Sequence, residues 1–186
     1  MKKVLLFFCA FLTQQLFAQF TTPTVNGAIG ASEYGTHTDG NNQQTNFYVT
    51  WDAINLYVGI INANVSEGAV LYLDKAPTAI VNGGANSDGT IVGFNNYDNT
   101  SFSNLPFRAD LVVYFTNTYR EYRTSNGSGG WSSQTAGFGS YADAGGSTRE
   151  IAIPWSVIGG IPASFNSLIN HPTTPFIKCV TILSKN

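Results

Sequence analysis

Apolar and polar side chains begin to alternate strictly at Phe47. In Phe47-Tyr48-Val49-Thr50-Trp51, residues Phe47, Val49 and Trp51 share one phase while Tyr48 and Thr50 take the other, the pattern of a half-buried strand. Asp52 to Asn55 has turn chemistry, and Asp52 is read as a turn residue whose carboxylate accepts backbone N–H bonds. Leu56-Tyr57-Val58-Gly59-Ile60-Ile61 then resumes with Leu56, Val58 and Ile60 on one face, so the pair predicts a β-hairpin. Further strands are predicted at 69–74, 110–116, 120–124 and 149–155, each bounded by Gly, Asn, Ser or Pro. No stretch between them carries a helical period of useful length. Short strands at this spacing predict an all-β domain, a sandwich or barrel rather than a parallel α/β fold.

Two irregular stretches interrupt the strands. The first, 75–107, passes through Asn82-Gly83-Gly84-Ala85-Asn86-Ser87-Asp88-Gly89; loops of that length are usually functional or disordered. The second, 125–147, interleaves glycines with Trp131, Phe138 and Tyr141, which predicts ordered loops whose rings are pinned. The end of the chain differs in composition. Glu150 is the last acidic residue, and from Ser167 onward come Pro172, Pro175, Lys178, Cys179 and Lys185. Residues 166–186 are read as an atypical tail of the kind truncation or a shifted reading frame would produce, with room for a strand at 176–183.

Lys2 and Lys3 precede the apolar run Val4 to Leu12, which gives way to Thr13, Gln14 and Gln15. This layout is that of a secretory signal peptide spanning residues 1–18, with cleavage before Gln19 and no integral membrane segment afterwards. The expected location is therefore secreted or cell-surface. Without Lys2 and Lys3, seven of the nine Lys and Arg face all eleven Asp and Glu, a balance that argues against nucleic acid as a partner. Charged residues are 11% of the chain against roughly 25% in an average globular protein, so hydroxyls and amides must solvate its surface. Cys9 belongs to the leader, which leaves Cys179 without an intramolecular disulfide partner.

Three segments resemble the family-nine carbohydrate-binding-module-like sandwich, a relative of the DOMON-like domains of exported bacterial proteins. Val25-Asn26-Gly27-Ala28-Ile29-Gly30-Ala31-Ser32-Glu33-Tyr34 resembles that family's opening motif, with Asn26 and Gly30 in place of aspartates and Tyr34 in place of tryptophan. Val49-Thr50-Trp51-Asp52 followed by Asn55-Leu56-Tyr57-Val58 resembles its tryptophan-aspartate turn and the following strand. Arg149-Glu150-Ile151-Ala152-Ile153-Pro154-Trp155 resembles its late strand ending in Ile-Pro-Trp. The resemblance spans 24–165 and implies one antiparallel β-sandwich of jelly-roll type over 19–165, with carbohydrate binding as its role.

The residues offer little for covalent chemistry, so no enzymatic activity and no catalytic residue is expected. His37 and His171 are the two histidines, and neither has the spacing of a metal site or a catalytic triad. Nothing in the sequence pairs two of Asp52, Asp74, Asp110, Glu121 and Glu150 for glycoside hydrolysis. Hard oxygen ligands around the glycine-rich loop, Asp74, Asp88 and Asp98 with Asn82 and Asn86, suit a structural calcium ion; solvated turns are the alternative. Trp51 and Trp155 lie on the apolar phase of their strands and are expected in the core. Trp131, flanked by Gly129, Gly130, Ser132 and Ser133, reads either as a stacking platform for a sugar or as an indole packed over a sheet edge. The strand around it alternates Tyr119, Glu121 and Arg123 against Arg120 and Tyr122. Arg123, Tyr122 and Glu121 are therefore candidate polar contributors, and a cross-strand salt-bridge ladder through Glu121 is the competing reading. The expected partner is a polysaccharide or glycan. A structural or adhesive module packed against a neighbouring surface protein is the alternative.

Overall fold

A computed structural model of the chain describes residues 21–35, 40–42, 45–62, 68–77, 88–94, 105–116, 118–143, 147–170 and 180–183. The expected leader, His37, Asn82, Asn86, Asp98, His171 and Cys179 lie outside these residues. Eleven strands are described: β1 (Gly40–Asn42), β2 (Thr45–Trp51), β3 (Asn55–Ile61), β4 (Ala69–Asp74), β5 (Leu111–Phe115), β6 (Arg120–Thr124), β7 (Thr135–Ala136), β8 (Ser140–Asp143), β9 (Arg149–Pro154), β10 (Ser164–Asn170) and β11 (Val180–Leu183). One helical turn, α1 (Trp155–Ile158), follows β9. All pairings are antiparallel, in a first sheet of order β1-β2-β3-β9-β8 and a second of order β11-β10-β4-β5-β6-β7. The all-β architecture expected from strand spacing is observed, and of the sandwich and barrel left open there it is the sandwich.

The hairpin β2–β3 pairs Val49 with Val58 and Trp51 with Leu56. Asp52 makes its turn by accepting the Ile54 and Asn55 amides at 2.7 and 2.8 Å. Phe47, Val49, Leu56, Val58, Ile151 and Ile153 of the first sheet meet Leu71, Leu73, Val113, Phe115 and Phe165 of the second in one buried cluster. Each such side chain contributes about 1.5–3 kcal/mol by leaving water. Trp51 and Trp155 are both core residues, packed edge-on against Phe165, and the Trp155 indole N–H donates to the Asp52 carbonyl at 2.7 Å.

The second sheet is covered on its outer side as well. Val70, Tyr72, Val112, Tyr114 and Leu168 point away from the inter-sheet core and are buried by Phe94, Leu105, Phe107 and Ala109. The described parts of the long 75–107 stretch therefore include a covering layer. The remainder of that stretch lies outside the described residues. Regular structure also enters the second irregular stretch, where β7 and β8 carry the chain from one sheet to the other. Sheet structure continues past residue 165, where the sequence reading ended the domain: β10 runs to Asn170, pairs with β4 from Asn166↔Asp74 to Asn170↔Val70, and carries β11 on its other side. The boundary at 165 cuts a central strand whose Ser and Asn residues masked its apolar ones.

On the outer side of the first sheet, residues 21–35 form a strap without strands of their own. Gly59 makes this possible: a Cβ there would lie 2.5 Å from Ile29 Cδ1 and 3.0 Å from Tyr34 Cζ. Ala152, Tyr57 and Tyr34 close the contact.

Candidate functional site

The residues that the sequence singled out for ligand contact come from β6 and the loop after it. Glu121 and Arg123 face outward from the second sheet, opposite Tyr114 and Val112. Beyond β6 the loop turns back so that Trp131 bridges Ser125 and lands on the same outer face. Asn126 shapes this turn, its Oδ1 accepting the Ser128 and Gly130 amides at 2.8 and 3.0 Å. The Trp131 ring lies against Tyr72, centroids 6.2 Å apart, and its N–H donates to the Val92 carbonyl at 3.1 Å. It is half-buried, with one polar tie and one packed neighbour fixing a ring that still meets solvent. Both readings of Trp131 thus have a physical basis: the indole packs over the sheet and retains exposed surface.

The polar groups beside it are ordered from beneath. Glu121, 1% exposed, accepts the Tyr119 hydroxyl at 2.5 Å and the Arg123 Nε at 2.9 Å. That ion pair runs along β6 between residues two apart, in place of the expected cross-strand ladder. The Arg123 guanidinium also stacks over Phe94 at 5.0 Å and donates from Nη2 to Gln134 Oε1 at 3.0 Å. Glu121 therefore orients Arg123 and is itself too buried to meet a ligand. Tyr122 requires a correction: its strand phase turns it inward, where it packs on the inter-sheet core with Phe138 edge-on at 5.2 Å. Alternation along β6 puts it on the opposite face from Trp131, so the two cannot share one ligand. Gln134, which the sequence reading did not name, stands on the outer side with Arg123, whereas Ser132, read there as a flank of Trp131, bonds through its hydroxyl to Thr124, in the strand phase of Tyr122. The signal for Gln134 was its position in the hairpin that returns from Trp131, where Ser132 N–H donates to the Thr124 carbonyl at 2.8 Å.

Of the expected calcium ligands, Asp74 and Asp88 are described and Asp98 lies outside the described residues. Asp74 ends β4 and accepts the Ala76 amide at 3.1 Å and the Asn166 side-chain amide at 3.2 Å. Burial pushes its carboxyl above the ordinary range; the Ala76 and Asn166 bonds oppose this, and the charges of Asp110 and Asp88 add to it. Asp110 accepts the Lys75 amide at 2.9 Å. Among the described residues no group of three or more His, Cys, Asp or Glu is placed to hold a metal ion.

Sequence reasoning missed Glu150 as an organising group. Buried at 0% exposure, its Oε2 accepts the Asn26 and Gly27 amides at 3.1 and 2.8 Å and its Oε1 accepts the Tyr34 hydroxyl at 3.0 Å. The opening motif is thereby tied to the late strand. Glu33 closes the strap on itself by accepting the Thr24 and Gly30 amides, each at 2.8 Å. The available signal was a carboxylate among the apolar residues of β9.

No helix among the described residues is long and apolar enough to cross a membrane. No protein-family model, curated protein or solved structure matches the chain.

Proposed function

We propose that this chain is an exported, non-catalytic carbohydrate-binding module in which Trp131 stacks on a sugar ring. The observation that carries the reading is an indole held in one orientation by Tyr72 and Val92 yet only partly buried. A fixed ring loses little freedom on binding, which favours weak stacking contacts over a flexible alternative. Beside it, Arg123 with Gln134 supplies donors and acceptors suited to sugar hydroxyls. Export rests on the leader, and the sugar itself on the resemblance of the three motifs.

Affinity-gel retardation on a panel of soluble polysaccharides tests this. Trp131→Ala is expected to abolish retardation, and Trp131→Phe, which keeps a ring but not the N–H bond to Val92, to keep part of it. Thermal unfolding of both variants separates lost binding from lost packing on Tyr72. Parent protein that no polysaccharide retards, or full retardation of a folded Trp131→Ala variant, would refute the reading.

A second reading, a structural or adhesive surface module, draws on Ile91 and Val92, which are 37% and 46% exposed beside the indole. An apolar strip of this kind suits a protein neighbour. Retention of the parent by glycans decides against it.

A further inference from the structure

We propose that Asn126 is a site of spontaneous deamidation promoted by its loop, and that the fold withholds the same chemistry from the identical dipeptide Asn26-Gly27. The reaction needs only base and water. The Gly127 amide nitrogen gives up its proton and attacks Asn126 Cγ, forming a new N–C bond. The bond from Cγ to Nδ2 breaks and ammonia leaves, giving a cyclic imide. Water then opens the ring at either carbonyl to give aspartate or isoaspartate. The balance is amide plus water to acid plus ammonia.

Two features of the 126–130 loop favour this path. Charge develops on Asn126 Oδ1 as the nitrogen attacks, and that oxygen already receives the Ser128 and Gly130 amides at 2.8 and 3.0 Å. Donors aimed at a developing oxyanion lower the barrier. The nucleophile is also lightly held: among the described residues the Gly127 amide reaches only the Ser125 hydroxyl, at 3.4 Å, and both Asn126 and Gly127 are exposed to base and water.

At Asn26 the side chain makes a similar turn, with Oδ1 accepting the Ala28 amide at 2.8 Å. The difference lies in the nucleophile. The Gly27 amide donates at 2.8 Å to Glu150 Oε2, a carboxylate of 0% exposure, and Gly27 is itself buried. A neighbouring negative charge opposes removal of that proton, and the attack would cost the strap a charge-assisted bond. Identical dipeptides thus meet opposite environments.

The test ages the full chain in mildly alkaline buffer, native and in concentrated urea, and follows each Asn-Gly peptide by mass spectrometry and isoaspartate detection. The unfolded chain supplies the intrinsic rate of each dipeptide. In the native protein the ratio of Asn126 to Asn26 conversion is expected to exceed the unfolded ratio at least about tenfold, the rate equivalent of one charge-assisted hydrogen bond. Glu150→Gln, if folded by circular dichroism, is expected to speed conversion at Asn26 and leave Asn126 unchanged. An equal ratio in native and unfolded protein, or faster native conversion at Asn26, overturns the proposal. These measurements do not involve sugar, so they stand apart from the binding assay.

Discussion

Tyr34→Phe removes one oxygen from the interior and leaves the ring that packs against Tyr48, Tyr57 and Ala152 and seats the strap on the sheet. In the parent, that hydroxyl donates at 3.0 Å to Glu150 Oε1, while the two backbone amides of Asn26 and Gly27 serve Oε2. The variant leaves Oε1 without this donor at a residue of 0% exposure. Hydrogen bonds to charged groups are worth about 1.5–3 kcal/mol, and depth of burial puts this one in the upper part of that range, about 2–3 kcal/mol. For a protein of this size that corresponds to a fall in Tm of about 4–12 °C. In urea the midpoint should drop by about 1 M with an unchanged slope. The strap could also lift separately from the sandwich, so hydrogen exchange at the Gly27 amide is measured alongside and should accelerate. Combining Tyr34→Phe with Glu150→Gln in a double-mutant cycle should show coupling of about 1 kcal/mol or more. A variant within about 0.5 kcal/mol of the parent, with Gly27 exchange unaltered, would refute the claim that Glu150 latches the strap.

Two pH dependences follow from the same physics. Burial raises the Tyr34 hydroxyl far above its ordinary 10.0, reinforced by Glu150, and pushes Tyr72 up to about 12 against a smaller opposing effect of the Phe94 amide. With folded values raised, the native state holds more protons than the unfolded chain above pH 10.0, so stability is lost as pH climbs beyond it. Absorbance titration should show these two phenols ionising only together with unfolding, and a native protein with every tyrosine ionised would contradict this. Asp52 behaves oppositely. Burial favours its neutral form, but bonds from Tyr57, Asn55, Ile54 and Thr22 together outweigh that and hold the carboxyl below its ordinary 3.8. Its contribution is present above 3.8 and is lost as pH falls through the lowered folded value. Asp52→Asn should therefore cost about 1 kcal/mol near neutrality and little in strong acid, and a urea-unfolding penalty independent of pH would sink the assignment.

Legibility of the sequence tracked how many faces of a strand are wet. β2 has one fully apolar face and one that the strap covers only in part, so polar-tipped Tyr48 and Thr50 alternate with Phe47 and Val49, and the hairpin could be read from the sequence. β4 and β5 were recognisable as continuous apolar runs, but nothing in them told that their outer residues Tyr72 and Tyr114 would be roofed by Phe94 and Phe107. β10 was hidden for a related reason: buried between two apolar layers, it can carry Ser167 and Asn166 at central positions without showing an alternating pattern. β7 and β8 are too short, and too rich in glycine around them, to register as strands. Trp131 stood out because its flanks are glycine and serine. Its neighbours were harder, since the phase of β6 relative to the core decides which of Tyr122 and Arg123 accompanies it. Only pairing with β5 fixes that phase.

The roof over the second sheet has a bearing on resistance to proteolysis. Proteases cut extended chain, and an exposed sheet edge or face is where unravelling starts. Here the ladder of β4, β5 and β10 lies beneath an apolar rind contributed by 88–94 and 105–109, so water and enzymes must peel that rind before they reach it. Residues that look like connector in the sequence thereby act as armour.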